Sequence, residues 1–517
     1  MKTSLHSLSA VGARRLIGSK QISPVELLDD CIAQIEAINP AVNAIAATDF
    51  VRARASARVA EQAVMRGEPL GLLHGLPLGV KDLEATEGLL TTYGSPLFRG
   101  NVPVADNVLV ARLRAAGAII TAKTNVPEMG AGANTRNVVW GATGNPFDPM
   151  LNAGGSSGGS AAALATDMLP LCTGSDTGGS LRIPAALCGV VGFRPSPGLV
   201  PSERRALGWT PISVVGPMGR DVADTRLQLA ASVGLDRCDP LGQRVDLASF
   251  LHAGEIDLSS LRIGFTEDFG VCDVDNALRA TFREKIAALS HFVQVCEPTG
   301  FEMGEVDRCF DVIRGQNFVA SFQEAYQRDP TSLGANTRAN YEMGQAMTLA
   351  DVVWAHAEQT RLFRLFQQKF DEYDLIISPS SPISPFPWQS LYLNEINGRP
   401  LANYYRWLSL TYVVTLMTNP ALSLPCGRDH AGMPFGLQMV GPFRGDARLL
   451  DMAQAFETAF RDDAQLGRPR PDLTKLALPV PELRSIVTDP PLRPSAFGGA
   501  GGAGGAGGDA GMIRAAV

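Results

Sequence analysis

Two glycine- and serine-rich segments follow each other closely near the middle of the chain. They are Ala153-Gly-Gly-Ser-Ser-Gly-Gly-Ser-Ala-Ala162 and Gly174-Ser-Asp-Thr-Gly-Gly-Ser-Leu-Arg182. Because glycine has no Cβ and tolerates positive φ, both backbones can turn tightly and approach another molecule closely. The run 160–165 predicts a helix directly after the first segment, with its positive end near the loop. The fold must therefore place two loops with unusual backbone freedom between helices or strands.

A lysine within the apolar run Leu78-Gly-Val-Lys-Asp82 is a candidate base for these loops. A serine hydroxyl is a poor nucleophile until a neighbouring base accepts its proton. All six histidines lie outside both segments. A lysine can serve when burial lowers its pKa enough to keep the amine neutral. The apolar neighbours of Lys81 predict such burial, and the set of two serine loops and a lysine indicates an amide hydrolase.

The second segment also predicts an oxyanion hole. Successive backbone N–H groups of Thr177, Gly178 and Gly179 can point the same way, and each key donor contributes on the order of 3–4 kcal/mol to transition-state stabilisation. Asp176 and Arg182 flank Ser180 at a separation that allows them to pair. We expect this pair to fix the donors; the alternative is an ordinary surface ion pair of little energetic value.

Competing interpretations of the motifs are weaker. Taken singly, a glycine–serine run is more typical of a flexible loop, and a lone lysine of a surface residue. Residues 155–159 also match G-x-S-x-G, which would make Ser157 a nucleophile, but the preceding residues 145–150 contain two prolines and are predicted to form a loop rather than the required strand. A phosphate-binding loop is excluded because no Gly-Lys-Ser/Thr follows the glycines.

Together the motifs resemble those of the amidase signature family, whose members use a Ser-cisSer-Lys triad. The resemblance implies that Lys81 is the base, Ser156 the bridging serine and Ser180 the acyl-forming nucleophile, with Asp176 and Arg182 as their support and without cofactor or metal. It runs from about residue 23 to about residue 460. Further matching segments are His74-Gly-Leu-Pro77, Lys123-Thr-Asn-Val-Pro127, Gly192-Phe-Arg-Pro195 and Gly216-Pro-Met-Gly-Arg220.

Periodicity along the chain predicts an α/β fold. Ser23 and Glu26 form a capping-box pattern ahead of a helix with proline at its first position. Alternating helical and apolar strand patterns favour a mixed β-sheet sandwiched between helices, which is also the fold implied by the resemblance. Helices are predicted at 53–66, 107–116, 160–165, 274–289 and 346–370, and strands at 118–122, 261–265, 375–378, 421–424 and 435–440.

Composition and length indicate a large cytoplasmic enzyme. No linker interrupts the body of this 517-residue chain, so we expect one domain over 1–485 and a Pro/Gly/Ala-rich, disordered tail over 486–517. A net charge of −7 with scattered basic residues argues against nucleic acid as a partner.

The N-terminus lacks a signal peptide and no apolar run is long enough to span a membrane. The eight cysteines form no C-x-x-C pair, so neither a metal site nor a disulfide framework is expected. A small-molecule amide is the expected partner, and a homodimer is left open.

The substrate pocket is expected in segments that diverge within the family: Met129 and Gly130, Trp140, Trp209, 316–341 and 385–412. The many aromatic residues of 385–412 suit a hydrophobic or aryl amide, unless they belong to the core. Two alternatives remain. One is the glutamine-hydrolysing subunit of a tRNA-dependent amidotransferase, although the resemblance places Leu408 where such subunits carry an aspartate, and Thr415 where asparagine is common. The other is a non-catalytic scaffold.

Overall fold

The computed structural model describes residues 4–492; the greater part of the predicted tail, 493–517, lies outside the described residues. Helices occur along the whole described chain. They are α1 (Ala10–Gly18), α2 (Pro24–Val42), α3 (Phe50–Arg66), α4 (Val108–Ala115), α5 (Gly158–Ala165), α6 (Arg182–Cys188), α7 (Val222–Ser232), α8 (Ala248–Leu251), α9 (Asn276–Leu289), α10 (Val306–Arg328), α11 (Ala335–Gln345), α12 (Leu349–Gln367), α13 (Ser409–Met417) and α14 (Asp446–Phe460).

Strands alternate with these helices. They are β1 (Ile45–Thr48), β2 (Pro77–Lys81), β3 (Ile119–Thr124), β4 (Arg136–Asn137), β5 (Gly141–Ala142), β6 (Gly144–Asn145), β7 (Asp148–Asn152), β8 (Leu171–Asp176), β9 (Val191–Arg194), β10 (Val214–Gly219), β11 (Arg262–Phe265), β12 (Val295–Pro298), β13 (Leu375–Pro379), β14 (Glu395–Ile396), β15 (Arg399–Pro400), β16 (Ala421–Arg428) and β17 (Pro434–Val440).

One 11-stranded mixed sheet crosses the molecule in the order β1-β3-β2-β8-β10-β9-β16-β17-β13-β11-β12. Strands β3, β2 and β8 are mutually parallel, the middle of the sheet is antiparallel, and β13, β11 and β12 are parallel again. Helices α5, α6, α7 and α14 pack against its central strands. The predicted α/β fold, a mixed sheet flanked by helices, is confirmed.

Local sequence signals account for several of these elements. The Ser23 hydroxyl accepts from Val25 N while Glu26 reaches back to the Ser23 N–H, so α2 begins with the predicted capping box. Gly67 ends α3 in the left-handed conformation, with φ of 71°, as a C-cap glycine does. All residues of β8 and β17 are buried, which explains why their side chains are apolar or small apart from the buried polar residues Asp176 and Gln438.

The predicted loop over 145–150 is wrong in part. Residues Asp148–Asn152 form β7, which pairs with β6 in a separate two-stranded sheet. Proline does not prevent this pairing because the ladder is short and lies at an edge. Since β7 is not a strand of the large sheet, the G-x-S-x-G loop still lacks the geometry of a nucleophile elbow.

The first residues after position 485 are held against the body of the protein. The backbone N–H groups of Thr488 and Asp489 donate to Val138 O, and Leu492 N donates to Arg99 O. The described chain thus enters the segment predicted to be a tail and is hydrogen-bonded up to its last described residue. None of the described helices combines the length and apolar character that a membrane span requires.

Candidate active site

Lys81 is the last residue of β2 and lies beside β8. Its backbone N–H donates to Thr173 Oγ1 at 2.9 Å, which fixes the end of the strand. Its Nζ lies 2.7 Å from Ser156 Oγ and 2.8 Å from Ser175 Oγ. The side chain is fully buried, and burial lowers its pKa to about 7, against the opposing charges of Glu84 and Asp176. Near neutral pH the amine therefore exists in both protonation states.

The first glycine segment carries Ser156 to this amine. The Gly155–Ser156 peptide bond is cis. A Cβ on Gly155 would lie 3.0 Å from the Ala133 carbonyl carbon, and one on Gly159 would lie 2.2 Å from Asn125 N. The two glycines are therefore needed because neighbouring backbone passes too close for a side chain. Ser157 N donates to Ser180 O at 3.3 Å, so the two glycine segments are bonded to each other.

The two candidate nucleophiles differ in their access to solvent. Ser180 is partly exposed and lines a cavity that Ser156 and Ser175 also reach. Ser157 is fully buried, and its hydroxyl faces Ser175 N at 3.5 Å. A substrate in the cavity can therefore meet the hydroxyl of Ser180 and not that of Ser157.

Asp176 organises the loop that leads to Ser180. Its carboxylate accepts from Gly179 N at 2.9 Å and Leu181 N at 3.2 Å, and pairs with Arg182 at 2.8 Å and Arg194 at 3.2 Å. Burial alone would raise the pKa of Asp176, but the two guanidinium charges outweigh it and hold this pKa well below its usual range. The pairing of Asp176 with Arg182 is buried rather than at the surface.

Contacts from distant parts of the chain hold Arg182 in place. Its Nη1 donates to Gln438 Oε1 at 2.6 Å and to Thr411 O at 2.9 Å, and its Nη2 donates to Thr415 Oγ1 at 2.9 Å. Thr415, the position compared with asparagine in amidotransferase subunits, thus belongs to this support. The Thr411 hydroxyl donates to Gly178 O at 2.6 Å.

These bonds change the expected oxyanion set. The peptide between Gly178 and Gly179 is held at both ends, since its carbonyl accepts from Thr411 and its N–H donates to Asp176. The Gly179 amide is therefore occupied by the support of the loop, contrary to expectation. Thr177 and Gly178 both line the cavity, and their amides remain the candidate donors.

Sequence reasoning missed Ser175 and Arg194. Ser175 has an available signal: on β8 it is two residues from Thr173, and alternate residues of a strand face the same side. Both side chains contact Lys81. Arg194 lies on β9, two strands away from β8 in the large sheet, and donates to Asp176 O at 2.6 Å. No pattern in the neighbouring sequence predicts that contact.

The cavity wall contains some of the expected residues and excludes others. Met129 and Gly130 line it, as do residues of 316–341: Asn317, Phe318, Ser321 and Phe322. Of the segment 385–412 only Tyr404 and Leu408 reach it. The other aromatics of this segment are largely core, for example Trp407 against Phe386 with ring centroids 5.8 Å apart. Trp209, which is 79% exposed, and Trp140, which donates to Thr92, are not among the residues of the wall.

Within residues 4–492, no group of three or more His, Cys, Asp or Glu side chains is placed to hold a metal ion. The groups at and beside the cavity include hydroxyls, an amine of lowered pKa and backbone amides. A nucleophilic serine served by a base is the reaction type that these groups support.

Comparisons with known proteins agree with this chemistry. The sequence profile of the family described as Amidase matches residues 26–450. An acylamidase of Rhodococcus erythropolis is 32% identical over 455 residues, covering 88% of this chain and 95% of the relative. A glutamyl-tRNA(Gln) amidotransferase subunit from Acaryochloris marina is 31% identical over 465 residues, covering 85% and 95%. A crystal structure of a bacterial aryl acylamidase of the amidase signature family superposes with a TM-score of 0.82 at 28% identity, covering 88% of this chain and 97% of that one.

Fold and relatives define a hydrolase that acts on carbon–nitrogen bonds in linear amides. The chain belongs to the Amidase family, that is, to the amidase signature enzymes, and the predicted family is confirmed.

Proposed function

We propose that the protein hydrolyses an apolar or aryl amide to a carboxylic acid and an amine or ammonia through an acyl-enzyme on Ser180. Ser180 Oγ attacks the amide carbonyl carbon while its proton passes to Ser156 Oγ, and the proton of Ser156 passes to neutral Lys81 Nζ. Collapse of the tetrahedral intermediate breaks the carbon–nitrogen bond, and the relay protonates the leaving amine. Water then cleaves the ester by the same route and frees Ser180.

The observation that carries this proposal is the 2.7 Å contact between Lys81 Nζ and Ser156 Oγ. A fully buried amine whose pKa falls to about 7 can accept a proton at neutral pH, which an ordinary lysine cannot. The amides of Thr177 and Gly178 would then stabilise the oxyanion, with Asp176 and Arg182 as the support of the loop that carries them.

The apolar part of the cavity wall supports the substrate class. Met129, Ile212, Phe318, Phe322 and Leu408 contribute carbon surface next to Ser180. Such walls bind aliphatic or aromatic groups by removing them from water, at roughly 25 cal/mol per Å² of apolar surface. The acylamidase relatives support the same class.

A second candidate is the glutaminase of an amidotransferase, which the 31% identity to the amidotransferase subunit from Acaryochloris marina favours. Glutamine would bring a cationic α-amino group into the cavity. The described residues of the cavity wall include Arg205 and Arg314 but neither aspartate nor glutamate. An ammonium group would therefore enter without a counter-charge, which disfavours glutamine as the substrate.

Intact-mass analysis after incubation with a fluorophosphonate tests the nucleophile. Wild type is compared with Ser180→Ala, with Lys81→Ala and, as matched control from the neighbouring loop, with Ser157→Ala. We expect one adduct on wild type and on Ser157→Ala, no adduct on Ser180→Ala, and slow labelling of Lys81→Ala. Labelling that survives in Ser180→Ala would refute the assignment of Ser180, and absence of labelling in wild type would favour a non-catalytic scaffold.

Turnover separates the two candidate substrates. The protein alone is assayed with short-chain 4-nitroanilides and with L-glutamine. Hydrolysis of an anilide that clearly exceeds that of glutamine supports the amidase. The reverse order, or glutaminase activity that appears only with partner subunits, supports the amidotransferase.

A further inference from the structure

Arg314 lies in the wall of the cavity that contains Ser180. It is a residue of α10 and only 7% exposed. Its Nε donates to Asn340 Oδ1 at 2.8 Å and its Nη2 donates to Tyr404 OH at 2.8 Å. Both acceptors are neutral, so these bonds orient the guanidinium without cancelling its charge.

Aromatic rings complete the surroundings of this guanidinium. Its central carbon lies 4.7 Å from the ring centroid of Phe318 and 4.9 Å from that of Tyr405. Cation–π contacts of this kind stabilise a cation while leaving its positive charge in place. Arg314 is thus held rigidly as a positive group.

No carboxylate neutralises Arg314. Within residues 4–492, no aspartate or glutamate lies within 4.0 Å of its guanidinium, and Nη1 donates to no described residue. Asp311, one turn earlier on α10, is already bound by Arg406 Nη2 at 2.7 Å and by Tyr405 OH at 2.7 Å. The other arginine of the wall, Arg205, is paired with Asp239.

A buried charge without a counter-ion is costly, and its attraction for an anion is strong because little water competes. Arg314 lines a cavity whose described wall has no acidic residue. A carboxylate on the substrate would supply the missing charge through a charge-assisted hydrogen bond.

We propose that the substrate amide carries a carboxylate, and that Arg314 binds this carboxylate while Ser180 faces the amide carbonyl. The inference rests on the proposed function and narrows its substrate class to amides with an apolar body and an anionic end. Arg314 acts in binding and takes no part in proton transfer.

Matched substrates test the preference in the wild-type enzyme. Glutaryl 4-nitroanilide and pentanoyl 4-nitroanilide differ at the end of the acyl chain, where the first has a carboxylate. Pentanoyl 4-aminobenzoate and pentanoyl anilide differ on the amine side of the amide, where the first has a carboxylate on the ring. We expect kcat/KM to be about ten- to a hundredfold higher for the anionic member of at least one pair, as for hydrogen bonds between charged groups.

Variants assign the preference to a residue. Arg314→Met should abolish the preference mainly through KM, and Arg314→Lys should restore part of it, since lysine keeps the charge but lacks the planar fork. Arg328→Met is the matched control, because Arg328 is an exposed arginine on the same helix. It should leave the preference unchanged.

Binding separates this inference from the proposed reaction. Affinity for the same amides is measured by calorimetry in Ser180→Ala, which does not depend on turnover. Tighter binding of the anionic member, lost when Arg314→Met is added, supports the inference even if wild type hydrolyses no anilide. Equal affinity for both members of both pairs, or a preference that persists in Arg314→Met, overturns it.

Discussion

At the scale of single residues, the burial of Lys81 gives the reaction rate a defined dependence on pH. In the proposed mechanism the neutral amine is the base; burial lowers its pKa to about 7, so its neutral fraction increases as pH rises through that value. We expect kcat/KM for a neutral amide to rise about tenfold per pH unit below about pH 7 and to level off above it. A stopped assay across this range measures the profile, and a rate that falls steadily from neutral to mildly alkaline pH would contradict the role of Lys81.

The same lowered pKa affects stability. Because the folded protein binds fewer protons at Lys81 than the unfolded chain between about pH 7 and the ordinary lysine pKa of 10.5, the free energy of unfolding rises with pH in this window. Lys81→Met removes this dependence, so the variant should gain stability relative to wild type most at about pH 6 and least near pH 10. Denaturant unfolding at both pH values measures the difference. A gain that is the same at both would show that Lys81 is not protonated differently in the two states.

Ser175 is expected to position the amine of Lys81. Its hydroxyl accepts from Nζ at 2.8 Å, and an acceptor favours the charged form of an amine. Ser175→Ala should therefore lower the pKa of Lys81 further and move the rising limb of the pH–rate profile to lower pH, with kcat reduced by about tenfold. Ser160→Ala, which removes another buried hydroxyl, on α5, serves as control. An unshifted profile would leave Ser175 with a packing role alone.

At the scale of elements, the loop between β8 and α6 depends on one carboxylate. Asp176→Asn would leave Arg182 and Arg194 with an uncompensated buried charge, which costs on the order of 3–5 kcal/mol. We expect a lower unfolding midpoint and slow fluorophosphonate labelling of Ser180. Asp329→Asn changes an exposed aspartate that caps the short 3-10 helix Pro330–Ser332, far from the β8–α6 loop in sequence. Because asparagine and aspartate cap about equally well, it should change neither stability nor labelling appreciably.

Gly179 tests the geometry of the same loop. Its φ is +125°, and a Cβ there would lie 2.2 Å from Thr411 Oγ1. Gly179→Ala should therefore displace Thr411 and lower the labelling rate of Ser180, with a backbone cost of about 1–3 kcal/mol. Gly300→Ala is the matched control, because a Cβ at that glycine meets no atom within 4 Å. Normal labelling of Gly179→Ala would show that the loop does not need this conformation.

Helix ends and candidate catalytic residues could be predicted where the residues that decide them lie close together in the sequence. The capping box at Ser23, the C-cap at Gly67 and the apolar residues around Lys81 each act within a few positions, and the structure contains all three features. Contacts across the sheet were not predictable. Arg194 on β9 contacts Asp176, and Gln438 on β17 contacts Arg182. These contacts can be predicted only once the order of the strands in the sheet is known.

The aromatic segment 385–412 is a case in which composition alone predicted the wrong location. Its composition favoured a substrate pocket, whereas most of its rings are buried in the core. Burial of a large apolar ring is equally favourable in either place, so composition cannot distinguish a core from a cavity wall.

At the scale of the whole molecule, charge bears on the choice between the two candidate functions. The chain has a net charge of −7, and its basic residues are scattered along the sequence. We expect the protein alone to hydrolyse its amide substrate at a rate that tRNA leaves unchanged, because binding of RNA depends largely on clustered basic residues. An assay with and without tRNA at low salt measures this. Stimulation of glutamine hydrolysis by tRNA would contradict the amidase and favour an amidotransferase.

The support of Arg182 by Thr411, Thr415 and Gln438 has a consequence during protein synthesis. Lys81, Ser156 and Ser180 all leave the ribosome in the first half of translation, whereas the acceptors of Arg182 follow more than two hundred residues later. A nascent or truncated chain that ends before these acceptors contains all three candidate catalytic residues but lacks the contacts of Arg182 with Thr411, Thr415 and Gln438. We therefore expect a fragment that ends before these acceptors to be inert.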